Sequence, residues 1–383
     1  MKPGGPLHNG VKAARLRMGL SQQELAARTG VTRQTISGVE SGLFAPSTTV
    51  ALHLAQVLGC RVEDLFWLEE AEPASVAAVP AGDLPAGVKV RLALAQVGGR
   101  WVARPLLGDD AFRTELVPAD GTGLRAAGAE RVQVRLFDRP EHLAQTVLLA
   151  GCSPEMSLWA RAAERTHPGL RVQWLFANSM DGLERLRRGE VHAAGVHLYD
   201  PVTGEHNTPF VRRLLPDRNV VLVNLGTWEE GLLVPPGNPL GLHSAADLAQ
   251  PGITVVNREP GAGARLLLEQ SLQAAGVPSQ AVAGFDREVL GHLEVARAVA
   301  LGQAAAGVST AAVAAAFGLG FVPLRRVRYD IVVPRAHLEE PPVQQLLGTL
   351  GHRWVWSQLA ALGGYDTSRT GETVATLGPA SSA

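Results

Sequence analysis

Hydrophobic and polar positions change period as the chain is read, and the changes divide it. From Leu20 to Gly42 (LSQQELAARTGVTRQTISGVESG), Leu25 and Ala26 give an apolar face to a short helix over residues 22–28. Ile36 and Val39 do the same for a second helix that starts after Thr32 and runs to about Glu40. Ser21 with Glu24 three residues on is a capping box, and Thr32 is an N-cap. Gly30 between the helices takes the positive φ that a sharp turn needs. Helix, short turn and second helix is the geometry that lays the second helix in a DNA major groove. After a loop over 43–47, Thr48 to Leu58 is amphipathic and Val62 to Leu68 closes a small helical domain.

Glu69 to Pro85 is rich in Ala, Pro and Glu without period, which predicts a linker. Lys89 to Leu136 holds short runs (VKVRLALAQV, RWVARPLL, RVQVRLF) between Gly-Gly and Asp-Gly turns, a small β unit. From Thr146 apolar strands alternate with helical patterns: TVLLAGCS, SLWARAAERT, RVQWLFANS, DGLERLRRG and AAGVH make βαβαβ, hence a parallel sheet. VVLVNL and GLLVPPG follow. A second α/β set then comes from helix AADLAQ, strand ITVVNR, helices ARLLLEQSLQAAG and HLEVARAVALG, strand AAAGVS and helix TAAVAAAFG. RYDIVVP returns to the first set and VQQLLGTLGHRWVWSQLAAL supplies a closing helix. The class expected is therefore multidomain: an all-α N-terminal domain, a β-rich connector and an α/β two-lobe domain.

Composition narrows the function. With 383 residues, 46% apolar content and a net charge of -1, the chain is neither disordered nor a polyelectrolyte. Basic charge gathers at the N-terminus, where Lys2, Lys12, Arg15, Arg17, Arg28 and Arg33 face only Glu24 and Glu40 over residues 1–45. Cys60 and Cys152 lie far apart with no C-x-x-C, so neither a disulfide framework nor a zinc site is indicated and a reducing cytoplasm fits. The N-terminus has no apolar h-region. The uncharged run Ala304 to Leu324 is broken by Ser309-Thr310 and Gly318-Leu319-Gly320, so strand, capped helix and strand is expected there rather than a membrane span.

SQQELAARTGVTRQTIS with its E-S-G ending resembles the helix-turn-helix of the XRE (phage repressor-like) regulators over roughly residues 8–68. That resemblance implies a phosphate contact at Gln22 and base-facing Arg33, Gln34 and Ser37, with Thr32 and Thr35 beside them, on a double-stranded DNA operator. Arg33 suits guanine O6/N7 and Gln34 suits adenine. It also implies a structural Arg15–Glu40 pair. Gly38 departs from the family, whose members often carry a base-reading side chain there.

Residues 146–372 resemble the periplasmic-binding-protein-like (PBP-like, type II) domain found behind XRE helices and in some molybdopterin-biosynthesis proteins. GVHLYDPVTGEHNTPFVRRLLP, LLVPPGNP, VNREPGAGAR and GGYDTSRTGE carry the likeness. LysR-type effector domains share the architecture but not these stretches. The resulting boundaries are 1–70 for the helix-turn-helix domain, 71–85 for the linker, 86–145 for the connector and 146–383 for the effector-binding domain. One lobe covers about 146–233 and 328–383, the other about 234–327.

Ligands in such sheets collect at strand carboxyl ends and helix N-termini. The expected effector set is Ser153, Asn178, Ser179, His197, Tyr199, Asn257, Arg258, Gly261, Gly263, Arg265 and Ser309, on both lobes. Hydroxyls, amides and arginine favour a small polar or anionic effector, and the resemblance suggests molybdate, tungstate or a molybdopterin-related molecule. Each has a structural alternative. Ser153, Asn178 and Ser309 serve equally as helix caps, G-A-G-A-R as a mere turn, and Tyr365 to Arg369 as a lock on the tail. The runs Arg187-Arg188 and Arg212-Arg213 read as solvated faces. His197 at a strand end reads as structural rather than as a metal ligand, since with His192 it makes only an i, i+5 pair whose members face opposite ways. Cys152, His197 and Asp200 are the only assembly for catalysis and match no nucleophile motif. The reading is a cytoplasmic, homodimeric regulator without catalytic residues, metal or cofactor. A catalytic or molybdenum-cofactor-related C-terminal domain behind an autoregulatory DNA module stays open as the alternative.

Overall fold

The computed structural model describes residues 7–68, 74–111 and 116–379. The chain forms two compact units, Met1–Ala74 and Ser75–Ala383.

In the first unit, β1 (Leu7–Asn9) precedes helices α1 (Val11–Arg17), α2 (Gln22–Thr29), α3 (Arg33–Glu40), α4 (Thr48–Leu58) and α5 (Val62–Leu65), and β2 (Phe66–Leu68) ends it. Val11, Leu25, Ile36, Leu54 and Leu65 form its fully buried centre. The capping box closes at Ser21 and Glu24, Gly30 ends α2 at φ 70°, and Thr32 caps α3 by accepting from Thr35 N. The closing segment differs from its expected form. α5 is a single turn, after which Phe66 turns extended and residues 66–68 pair antiparallel with Leu7–Asn9. Partner strands so far apart in sequence leave no local signal.

The second unit opens with a closed five-stranded barrel: β3 (Ser75–Pro80), β4 (Lys89–Val97), β5 (Arg100–Pro105), β6 (Gly121–Leu124) and β7 (Val132–Leu136), in the order β3-β5-β4-β6-β7. Leu92, Leu94, Ala103, Val132 and Val134 fill it. The linker expected to reach Pro85 therefore stops short, because Ser75–Pro80 is the strand that closes the barrel onto β7. Residues 69–73 of that linker lie outside the described residues.

A short helix, α6 (Pro140–Leu143), leads into the first lobe. Here β8 (Thr146–Gly151), α7 (Glu155–Thr166), β9 (Arg171–Phe176), α8 (Ser179–Arg188) and β10 (Ala193–Val196) build the parallel βαβαβ unit. A hairpin of β11 (Tyr199–Asp200) and β12 (Glu205–His206) follows, then α9 (Thr208–Leu214). The runs VVLVNL and GLLVPPG prove to be one strand, β13 (Val220–Val234), which crosses into the second lobe with register shifts near Gly226 and Gly231. That lobe holds β14 (Val255–Arg258), α10 (Gly263–Ala274), β15 (Glu288–Val289), α11 (Gly291–Ala300), β16 (Ala306–Thr310) and α12 (Ala311–Ala316). AADLAQ is a 3-10 turn there instead of an α-helix.

The return crossing is β17 (Gly320–Pro334), antiparallel to β13 along its whole length. The order β15-β14-β16-β13-β17-β10-β8-β9 thus strings both lobes on two crossing strands. The closing helix is two, α13 (Pro341–Gly348) and α14 (Arg353–Ala361). Thr349 breaks it: its hydroxyl donates to Leu346 O at 2.6 Å and accepts from buried Trp159 Nε1 at 3.0 Å. β18 (Tyr365–Asp366) and β19 (Thr373–Leu377) then bind the tail to β13. No helix among the described residues is long and apolar enough to cross a membrane.

Candidate functional site

On the first unit, α3 buries Ile36 and Val39 and exposes Arg33, Gln34 and Ser37, with Thr32 exposed at its cap and Thr35 half-buried. Behind it Glu40 accepts from Arg15 Nε at 2.6 Å, Arg15 Nη2 at 3.0 Å and Gln22 Nε2 at 2.9 Å. Burial works against the Glu40 charge, yet these hydrogen bonds hold its carboxyl below the ordinary range. Gln22 is therefore oriented by Glu40, and an amide nitrogen has a second N–H to offer a phosphate. Gly38 has a local reason. A Cβ there would lie 2.3 Å from Phe44 Cε1, so the ring of Phe44 covers the surface that a longer side chain would take.

In the second unit the strand ends of both lobes meet. Ser179, His197 and Cys152 come from the first lobe, Arg258, His292 and Ser309 from the second, and Glu230 from the crossing strand β13; all are buried. The lobes are in close apposition. Asn178 Nδ2 donates to Pro260 O at 3.1 Å, Met180 N to Gly261 O at 3.3 Å, and Gln270 Nε2 to Tyr199 O at 2.9 Å. Gly263 opens α10 where a Cβ would stand 2.0 Å from His197 O, so glycine allows the approach. Gly261 holds φ +89° against Asn178.

His197 lies at the centre. Its Nε2 is 3.1 Å from Glu230 Oε1, and its Nδ1 faces Cys152 Sγ at 3.7 Å and Ser179 Oγ at 3.3 Å. Burial opposes charge on this ring, but Glu230 and Cys152 outweigh it and raise the imidazole to about 10. His292 goes the other way: burial, with the nearby positive charges of Arg258 and His197, pushes it well below its ordinary value. Its Nδ1 is 3.2 Å from Ser309 Oγ and its Nε2 is 3.9 Å from Cys152 Sγ. Arg258 is locked on Glu259 through Nε (2.8 Å) and Nη2 (2.9 Å), while its Nη1 makes no hydrogen bond among the described residues.

Other expected residues have different duties. The Ser153 hydroxyl donates to Glu155, which also receives the Tyr365 hydroxyl. Asn178 caps α8 by accepting from Asp181 N at 3.0 Å. Ser309 is no cap; Thr310 caps α12. Asn257 accepts from Arg258 N and donates to Phe285 O. Arg265 turns away to Glu269 and Glu288, and Tyr199 stacks under Arg325 at 4.3 Å. Asp200 accepts from Val202 N inside its hairpin and does not join Cys152 and His197, so the catalytic assembly considered from sequence does not form. His192 faces away from His197, accepting from Leu148 N and contacting Gln96 O. The alternative for the tail holds: Thr370 donates to Leu225 O, and Arg326 pairs with Asp366 at 2.5 Å.

The sequence reading missed His292, Glu230 and Glu259 as members of the cleft. Only Glu259 had a signal, its place beside Arg258 at a strand end. His292 and Glu230 arrive through tertiary topology alone.

An exposed recognition helix on one unit and converging polar groups between two lobes on the other define a helix-turn-helix DNA-binding regulator with a ligand-binding domain. Comparison with known proteins agrees. Residues 11–65 match a helix-turn-helix domain, and residues 160–351, half of the chain, match the PBP superfamily domain. The chain belongs to the PBP-like family, with an XRE-type helix-turn-helix at its N-terminus. Among relatives, the Bacillus subtilis (strain 168) protein YvgK is 33% identical over 200 residues, 52% of this chain and 64% of that protein. The HTH-type transcriptional regulator YgzD of the same organism is 44% identical over 64 residues, 17% of this chain and 97% of that one. Among solved structures, a putative phosphate ABC transporter substrate-binding protein with bound phosphate from Clostridium perfringens is similar at 13% identity and TM-score 0.44, covering 57% of this chain and 97% of that one. The effector-binding domain of a BenM variant is similar at 15% identity and TM-score 0.40, covering 58% and 99%. Neither structural similarity bears on the ligand of this chain.

Proposed function

We propose that this protein is a cytoplasmic, ligand-responsive transcriptional regulator that performs no turnover. Two copies bind a palindromic operator through α3, and the two-lobe domain takes a small polar effector between its lobes. One observation carries the reading: a single chain joins an exposed Arg33-Gln34-Ser37 face to a cleft whose buried polar groups come from both lobes. Buried Ser179, His197, Arg258 and Ser309 become accessible to an effector when the lobes part, so binding is coupled to closure. Molybdate and tungstate remain the anionic candidates. Against them stands Glu230, a fully buried carboxylate in the same cleft, and Arg258 already shares its charge with Glu259.

Selection of bound duplexes from a random library by the full chain tests the reading. An enriched palindrome with half-sites about one helical turn, 34 Å, apart is expected for a dimer. Arg33→Ala or Gln34→Ala should each cost about 1–3 kcal/mol and relax one base position, while Gln22→Ala should weaken all sequences alike. Failure to enrich any sequence, or unchanged affinity in both α3 variants, would remove the regulator reading. Molybdate, tungstate and candidate metabolites are then compared for their effect on that operator affinity.

A further inference from the structure

We propose that Cys152, His197 and His292 form a binding site for a transition-metal ion of the Zn(II), Co(II) and Ni(II) class, at the seam between the two lobes. The inference deepens the regulator reading by naming the class of ligand its cleft takes, and it rests on that reading for any effect on DNA.

Three observations carry it. The first is spacing. Cys152 Sγ lies 3.7 Å from His197 Nδ1 and 3.9 Å from His292 Nε2, and the three atoms all fall within 4.8 Å of one another. Metal–sulfur bonds of about 2.3 Å and metal–nitrogen bonds of about 2.0–2.1 Å put S and N about 3.5 Å apart around a tetrahedral ion, so small side-chain shifts suffice. The second is the outer contacts. Each histidine presents one ring nitrogen to the sulfur while its other nitrogen faces a polar group behind it, His197 Nε2 lying 3.1 Å from Glu230 Oε1 and His292 Nδ1 3.2 Å from Ser309 Oγ. The Ser309 hydroxyl points to His292 O at 3.4 Å, so its oxygen is left to accept from Nδ1–H and the Nε2 lone pair faces the sulfur. Carboxylate or hydroxyl, imidazole, metal is the arrangement by which proteins orient ligating histidines. The third is Glu230 itself. It is fully buried on the crossing strand β13 with its Oε1 3.1 Å from His197 Nε2, so the strand joining the lobes places a carboxylate behind one of the ligand rings.

A buried cysteine beside two histidines for packing alone would not require both rings to be oriented from behind. One thiolate with two imidazoles selects borderline ions over Mg(II) or Ca(II), which want oxygen. Binding needs Cys152 as its thiolate and His197 with a free Nδ1 lone pair, so M(II) enters as whatever protons those two atoms carry leave. Three protein ligands leave a fourth position for water or a small molecule. Because Cys152 and His197 belong to one lobe and His292 to the other, the ion also ties the lobes together.

The test uses the full chain, stripped by chelation and titrated with Co(II). One cobalt per chain is expected, with a thiolate-to-cobalt charge-transfer band and the visible bands of four-coordinate Co(II). Cys152→Ser should abolish the charge-transfer band, and Cys60→Ser should leave it. Glu230→Gln should weaken cobalt binding about 10- to 100-fold, the usual effect of losing an orienting partner. Circular dichroism and metal-free melting verify folding; if Cys152→Ser is misfolded, Cys152→Ala and His292→Asn replace it. A folded wild-type protein without the band, or a band that survives loss of Cys152, overturns the site. Operator affinity measured with and without Co(II) separates the two readings. Cobalt bound with no change in operator affinity keeps the metal site and rejects the metal as the signal. An operator response to another small molecule in a protein blind to cobalt rejects the site and keeps the regulator.

Discussion

Glu40 sets the geometry of the DNA-binding unit because three donors on two helices meet on one nearly buried carboxylate. Removing one partner leaves a charge without compensation, the costly case for buried pairs. Arg15→Ala should therefore lower local stability by about 3 kcal/mol, read as faster hydrogen exchange across α2 and α3. Undiminished protection of those amides would mean that the pair is dispensable. The resemblance to XRE regulators anticipated this contact, whereas the reason for Gly38 needed the position of Phe44. In the cleft the sensitive residue is Gly263. A Cβ there would press on the backbone carbonyl of His197 at 2.0 Å, and neither partner is a movable side-chain end. Gly263→Ala should hold the lobes apart, which small-angle scattering detects as a larger radius of gyration. An unchanged radius would show that α10 can shift without opening the cleft.

At the scale of elements, what was legible had a local cause. Caps at Ser21, Thr32 and Asn178 and the turn glycine Gly30 fix helix ends through contacts within a few residues, and they stand where the sequence allows them. What was not legible depends on distant partners. Ser75–Pro80 is a strand only because β5 and β7 accept it, and the helix expected over 343–362 breaks where Thr349 bonds to Trp159. The junction between the barrel and the first lobe adds a titratable element. Glu340, at the N-cap of α13, lies 2.5 Å from His337 Nδ1 and 3.5 Å from His192 Nε2, and that histidine nitrogen is 3.0 Å from Gln96 O on the barrel. Burial alone would raise the Glu340 carboxyl, but the hydrogen bonds and charge of His192 and His337 lower it from 4.5 to about 2. Between those values the unfolded chain binds more protons than the folded one, so stability rises with pH across that window. The contribution is complete above about pH 4.5 and is lost as pH falls through about 2. Glu340→Gln should flatten this part of the acid-unfolding curve and cost about 1 kcal/mol at neutral pH, since the group is partly exposed. An unaltered acid curve would assign the acid sensitivity to other carboxylates.

For the whole molecule, alternating strand and helix patterns sufficed to expect two lobes, because each βαβ step is right-handed and short. They did not reveal which residues meet across the cleft. His292 enters from α11 and Glu230 from β13, and only the two crossing strands bring them to His197. A regulator of this design must convert lobe closure into a change of DNA affinity, and thermodynamics constrains how that conversion looks. If an effector changes operator affinity by some factor, operator must change effector affinity by the same factor, whatever route the signal takes. Coupling of about 1–3 kcal/mol, about 5- to 150-fold, is the ordinary range. The full chain should therefore show equal ratios in the two directions. Gly263→Ala, which opposes closure, should bring both ratios towards one while leaving effector-free operator binding near its wild-type value. Calorimetric titration of effector with and without operator, set beside operator titrations with and without effector, gives the four affinities needed. An effector that binds the two-lobe domain but shifts operator affinity by less than about twofold, well below that range, would show that closure is not the signal this DNA-binding unit receives.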